Sequence, residues 1–430
     1  MSNTNSVELD LIPSFADATR VWWKIGILSF GGPAAQIALM HKEVVDDRKW
    51  LSEQQFLNAL SFCMLLPGPE AMQLATYAGW RLHGTIGGLI AGLLFVIPGA
   101  VIIMTLAAIY SIFGNVPLVE ALFYGIKAAV LVIVVEALLR VSKKALNQRQ
   151  HWVIAGAAFV GIFFLTIPYP LIVIMAGFYG LITAPTQSER DTVDMTHVSA
   201  QKTAGTIVLW LAIWLLPLLA LTWLGAPDLL VKVGTFFSTL AVVTFGGAYA
   251  VLAYLAQDVV VQFGWLTAGE MIDALGLAET TPGPLILVTQ FVGFLAGFKE
   301  AGLLLGVMAA VVALWVTFAP CFLWIFAGAP YIEWISNQPR LQSALKAITA
   351  AVVGVILNLS VWFALHVLFG TVTHERWGIV TLWLPKFATI EWPALLLFGL
   401  SCFLAFRFHW DIIRLLLVAS VLGAALRLLL

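Results

Sequence analysis

Phe30-Gly31-Gly32-Pro33 and Pro67-Gly68-Pro69 interrupt apolar stretches, and the pair recurs as Phe245-Gly246-Gly247 and Pro282-Gly283-Pro284. A half-helix that starts just after such a break presents unpaired N–H groups and a partial positive charge, which is enough to hold an anion without a full cation. Close packing or a kink is the alternative use of the same residues. Gln73, Thr76 and Tyr77 follow the first P-G-P, and Thr280, Thr281, Thr289 and Gln290 surround the second. These suit hydrogen bonds to an oxyanion, or to neighbouring helices.

Acids stand beside both P-G-P elements: Glu70 directly after the first and Glu279 just before the second. A carboxylate in an apolar span costs on the order of 2.5–3.5 kcal/mol, so it is expected to face a cavity and to carry a coupling proton. Glu70 also suits the N-terminal dipole of the half-helix it opens. Lys127 and Glu136 share one span but fall on opposite faces, so they cannot pair with each other. Lys127 shares a face with Glu120, which leaves an intramembrane ion pair or an anion-attracting cation. Glu136 is a further proton-carrier candidate. Leu285, Thr349 and Asn358 occupy the places of Glu70, Lys127 and Glu136 in the second copy. The copies are thus chemically unequal, which suits one to protons and the other to substrate.

Such groups need a bilayer around them, and the composition supplies one. Of 430 residues 61% are hydrophobic and 10% charged, with a mean hydropathy of +0.98. No water-soluble surface can be assembled from that remainder. Thr85–Ile112, Ala121–Leu139, Ile207–Leu224 and Ala344–Phe369 are long enough for membrane helices and too long and uniform for barrel strands. A net charge of -1 gives no basis for nucleic-acid binding. Cys63, Cys321 and Cys402 are too scattered for a disulfide framework or metal cluster. The acidic, polar first residues predict no removable signal peptide. H-E-x-x-H, G-x-S-x-G and Walker A patterns are absent, so no enzyme, metal, cofactor or ATP-driven pump is expected, and an ion gradient is the expected energy source.

The two copies align without a gap from the F-G-G to the P-G-P elements, through Trp50-Leu51 and Trp265-Leu266, and Ile126–Glu136 resembles Ile348–Asn358. The expected organisation is a repeat over 1–184, a polar linker and connecting helix over 185–224, and a second repeat over 225–430. Each repeat reads as two broken elements followed by four helices, in the first at about 84–113, 117–140, 151–167 and 168–184. If both broken elements are hairpins that enter and leave on one side, Lys42, Arg48, Lys49, Arg81, Arg140, Lys143, Lys144 and Arg149 share a face, which is then cytoplasmic. The helix near 205–224 adds the odd crossing that inverts the second copy. The fold class is therefore an all-α polytopic membrane protein of two homologous halves, as inverted-topology repeats with broken or re-entrant helices. Binding is expected near the midplane where the breaks meet. The series Gly84, Gly88, Gly92 reads as a helix-packing stripe that also suits a homodimer.

Phe30–Pro33, the charged run His41–Leu51, Pro67–Pro69 and their reprise at Phe245–Gly247 and Pro282–Pro284 resemble the chromate ion transporter family in its long, two-domain form. The resemblance covers nearly the whole chain. It implies a bacterial inner-membrane protein that exports chromate, driven by the proton gradient, and confers chromate resistance; it also gives weight to Phe30–Pro33 and Pro67–Pro69. Sulfate is a tetrahedral dianion of similar size, and an oxyanion carrier of that kind or an uncoupled anion channel is the alternative. Ala248 replaces Pro33 in the second copy, so its first break is expected to be softer.

Overall fold

The structure is a computed structural model, which describes residues 13–114, 116–184, 200–245, 248–336 and 338–429. Half one contains α1 (Phe15–Leu28), α2 (Gly32–His41) with a wider π-type turn at Lys42–Asp47, α3 (Glu53–Cys63), α4 (Glu70–Phe113), α5 (Pro117–Ala145), α6 (Arg149–Phe163) and α7 (Tyr169–Ile182). α8 (Ala200–Trp223) connects it to α9 (Asp228–Val243), α10 (Ala248–Gln257), α11 (Ala268–Thr280), α12 (Val288–Ala301), α13 (Leu303–Gly328), α14 (Ile332–Ser336), α15 (Pro339–Leu368), α16 (Trp392–Phe408) and α17 (Ile412–Leu429). Six helices among the described residues are long and apolar enough to cross a membrane. The chain is an all-α polytopic membrane protein of two homologous halves.

Both broken elements of half one double back. The Lys24 Nζ to Glu43 Oε1 contact of 2.6 Å joins α1 to the turn after α2, which a helix continuing straight through the break could not achieve. His41 bonds Glu53 at 2.6 Å, so α3 starts where α2 ends. The His83 ring nitrogen donates to the Pro13 carbonyl at 2.9 Å, which returns the chain after α3 and the first arm of α4 to the end where α1 began. Two hairpins thus enter and leave at one end, as the charge pattern predicts.

α4 reverses at His83–Gly84, and this corrects the reading of Gly84 as part of a packing stripe. Gly84 has φ 63° and ψ -156°, a region open in practice only to glycine, and Gly302 repeats it between α12 and α13 with φ 81° and ψ -165°. The two arms then pack antiparallel: a Cβ on Gly79 would lie 2.4 Å from the Gly87 carbonyl, and one on Gly297 would lie 2.5 Å from the Leu305 carbonyl. Gly88 and Gly92 do pack, against the Thr76 carbonyl, the Thr76 hydroxyl and the rings of Phe322 and Phe326.

The halves exchange their last two helices. α6 and α7 pack along α15, whereas α16 and α17 pack along α5, and α5 meets α15 between them. Small residues permit this closeness, with Gly125 on the Ala419 carbonyl and Gly354 on the Ala155 carbonyl. α8 is mostly exposed and buries Trp210 and Trp214, Trp210 stacking on Phe322 at 5.4 Å. The sequence analysis did not foresee one element, an antiparallel hairpin of β1 (Val372–Trp377) and β2 (Val380–Pro385) turning at Gly378. The β2 amide of Thr381 donates to the Phe164 carbonyl at 2.6 Å, which seats the hairpin over the α6–α7 loop.

Candidate functional site

The breaks of the two halves lock onto each other. The Gly68 amide donates to the Thr244 carbonyl at 2.8 Å, and the Gly283 amide donates to the Ser29 carbonyl at 2.8 Å. These are counterpart bonds under the repeat, each P-G-P gripping the residue just before the other half's F-G-G. Positive φ at Gly68 (114°) and Gly283 (89°) lets the backbone turn into this contact. Gly99 makes room for the second, since a Cβ there would lie 2.1 Å from the Pro282 carbonyl. Gln36, which sequence reasoning missed, adds bonds to the Ser29 carbonyl at 3.3 Å and the Gly283 carbonyl at 2.7 Å. The only signal for it was a glutamine soon after the break in an apolar helix, with Val251 as its counterpart.

Accessibility separates the breaks. Phe30, Gly31, Gly32 and Pro33 are half-buried and lead to exposed Ala34 and Ala35, while Pro67, Gly68 and Pro69, and Thr281, Pro282, Gly283 and Pro284, are all buried. α2 begins at Gly32 without a side-chain cap, so its first amides are available to an anion. Gly246 and Gly247 lie outside the described residues. The threonines offered as donors are spent within their own helices: Thr280, Thr281 and Thr289 donate to the carbonyls of Leu277, Ala278 and Ile286. Intrahelical bonding is the cheaper use of a hydroxyl where no ligand competes. Gln73 ties the Pro67 carbonyl at 2.7 Å and Gln290 the Ala100 carbonyl at 3.1 Å.

The acids occupy different surroundings. Glu70 opens α4, is only half-buried and feels the charge of Lys144 on α5. Glu279 is 2% exposed, accepts from the Tyr249 hydroxyl at 2.7 Å, and its Oε2 finds no partner among the described residues. Glu136 is not gathered with them: it pairs with Arg140 at 2.6 Å in a partly exposed helical pair. Lys127 does not pair with exposed Glu120 as that reading expected. Its ammonium lies 3.4 Å from Asp273 on α11, which also accepts from the Tyr110 hydroxyl at 2.8 Å. Asp273 was missed, although an acid in the segment leading to the second P-G-P was a visible signal.

At the end where half one's hairpins enter, buried Glu43 is clamped by Lys24 and Arg48. Burial pushes its carboxyl up, but these cations outweigh burial and hold it below the ordinary value. His41 moves the other way, raised by its hydrogen bond to Glu53.

Gln73 Oε1, Gln290 Oε1, Glu279 Oε2 and Asp273 Oδ1 are buried acceptors without a partner among the described residues. Such atoms call for a proton or water, while the exposed α2 terminus suits an anion. Comparison with known proteins agrees with a carrier of this kind. A family model described as chromate transporter matches residues 16–181 and 231–424. The chromate transport protein of Pseudomonas aeruginosa is 31% identical over 93% of this chain and 89% of its own. A probable chromate transport protein of Synechococcus elongatus is 29% identical over 80% and 83%, and the chromate transport protein of Cupriavidus metallidurans is 28% identical over 77% and 78%. No solved structure gives a significant match. With a family model spanning both halves and most of the chain, this multi-pass membrane protein belongs to the chromate transporter family.

Proposed function

We propose that this chain is a secondary transporter that exports chromate from the cytoplasm at the expense of the proton gradient and thereby confers chromate resistance. The observation that carries the proposal is the reciprocal bond between the breaks, Gly68 to Thr244 and Gly283 to Ser29, which makes the centre a symmetric hinge between two halves. The halves stand in different states around it. α10 packs along α15 and its described side chains are mostly buried, whereas α2 makes no comparable contact with α5 and is half-exposed. The open side is the end bearing Lys42, Lys49, Arg81, Lys143 and Lys144, the cytoplasmic end by the positive-inside rule. Exchange of the two states moves access to the opposite end.

In this reading the oxyanion docks at Phe30–Pro33 on the amides that open α2, with Gln73 and Lys127 further along its path. The unpaired oxygen of Glu279 carries the coupling proton, with Glu70 nearer the open side. Chromate and sulfate share shape and charge, so competition decides between them. Inverted membrane vesicles bearing the protein should take up chromate when a pH gradient is imposed, lose that uptake with an uncoupler, and respond to titrated sulfate. Uptake no greater than in empty vesicles refutes transport. Uptake indifferent to the uncoupler refutes proton coupling and makes the protein an anion channel.

A further inference from the structure

Lys127, Asp273 and Tyr110 come from α5, α11 and α4, and so join the halves away from the breaks, about 12 Å along α11 from the second P-G-P. We propose that this cluster is a second oxyanion station, on the side opposite the basic end, where the transported dianion displaces Asp273 from Lys127. The proposal rests on the oxyanion-transport reading above and names the counter-charge that reading lacks.

Three observations carry it. The counter-ion is hidden and the cation reachable, since the Asp273 side chain is 5% exposed and that of Lys127 27%. One carboxylate oxygen of Asp273 takes both contacts, and Oδ1 is buried without a partner among the described residues. The Lys127 ammonium also lies against the first turn of α11, where a Cβ on Gly269 would come within 3.1 Å of it. A cation beside a helix N-terminus is repulsive unless an anion sits with it. The Thr267–Glu270 capping box uses the amides of those two residues and leaves Ala268 and Gly269 uncapped. An ammonium, a helix N-terminus and the Tyr110 hydroxyl converge here, which is a donor set for a tetrahedral dianion. Of the other acids nearby, Glu270 is engaged by Lys299 at 2.6 Å and by Thr267, and Glu120 is exposed on α5, so Asp273 is the acid that contacts Lys127.

Displacement leaves Asp273 to be protonated or rehydrated, which couples anion arrival to opening of the α5–α11 contact. Asp273→Asn then frees Lys127: the KM for chromate falls about tenfold and turnover falls as release slows. Lys127→Met strands the carboxylate, while Lys127→Met with Asp273→Asn restores thermal stability without restoring uptake. The discriminating variant is the charge swap, Lys127→Asp with Asp273→Lys, measured for melting temperature and vesicle uptake. A stable swap protein without uptake supports the station. Restored uptake in the swap, or wild-type KM and turnover in Asp273→Asn, reduces the pair to a structural tie and overturns the proposal. Should wild-type vesicles themselves move no chromate, the transport reading fails instead.

Discussion

Gly283→Ala is the most informative test of the central lock. Gly283 has φ 89°, and a Cβ added there would meet Leu287 Cδ1 at 3.3 Å, the Phe95 carbonyl oxygen at 3.4 Å and Gly99 Cα at 3.6 Å. The backbone conformation alone costs a side chain about 1–3 kcal/mol. The Phe95 carbonyl belongs to a packed helix and yields little, so relief comes by shifting the 281–284 turn. That shift weakens the Gly283 amide bond to Ser29, worth about 1 kcal/mol. The total is about 2–4 kcal/mol, a large share of typical stability. Thermal unfolding of purified protein and uptake in vesicles give the readout, with two comparisons. Gly32→Ala carries positive φ (77°) but meets nothing within 4 Å, so only strain is expected, and Gly156→Ala lies in a helix with open space around it. The expected order of melting temperatures is Gly156→Ala at or above wild type, then Gly32→Ala, then Gly283→Ala. Gly283→Ala melting with Gly156→Ala would show that the cross-half bond contributes nothing to the hinge.

Gly84→Ala and Gly302→Ala should each cost about 1–3 kcal/mol, because both reversals need the glycine-only region, and equal losses in the melting temperature would support their equivalence. Glu43 has a depressed carboxyl pKa, so its stabilisation is present above the unfolded value near 4.5 and is lost as pH falls through the lower folded value. Melting curves against pH should therefore show an acid decline that Glu43→Gln lacks, with that variant already weaker at neutral pH by about 1–3 kcal/mol; an unchanged acid decline removes the Lys24–Glu43–Arg48 clamp as its source.

The duplication and the hairpins were legible because they are written locally: matched breaks at matched spacing, and basic residues that fall on one face only if the chain doubles back. What was illegible is non-local. Nothing near Gly68 names Thr244 as its partner, and nothing in α5 says that Lys127 meets Asp273 rather than Glu120 on its own helix. Gly84 was misread because a glycine every fourth position signals packing whether or not one member is a turn; only the repeated conformation at Gly302 separates the two. The β-hairpin was overlooked for a different reason. Val372–Pro385 carries β-branched and aromatic residues on both sides of Gly378, a strand signal submerged in a chain that is apolar nearly throughout.

Four of the mismatches between the halves fall on one of two equivalent interfaces. The repeat relates α5 and α11 to α15 and α3, and at the first pair it places Lys127, Glu136, Asp273 and Glu279, whose counterparts are Thr349, Asn358, Asn58 and Met64. Thr349 bonds its own helix and Met64 is 57% exposed, so these four positions put no charge between α15 and α3. Packing follows this difference: α11 lies against both α5 and α15, while α3 rests on α4 and α14 and leaves Leu57 exposed. A pseudo-symmetric hinge with equal interfaces would populate its two states equally. In the transport reading proposed above, the charges at these four positions of the α5–α11 side bias the hinge toward closure there. In that reading, protonating Asp273 or Glu279 would remove part of the bias, since the interface then loses its ionic tie to Lys127 and the field of Arg140. On the proton coupling proposed above, the acids that cost stability in an apolar span are the ones through which a proton would bias which end is open.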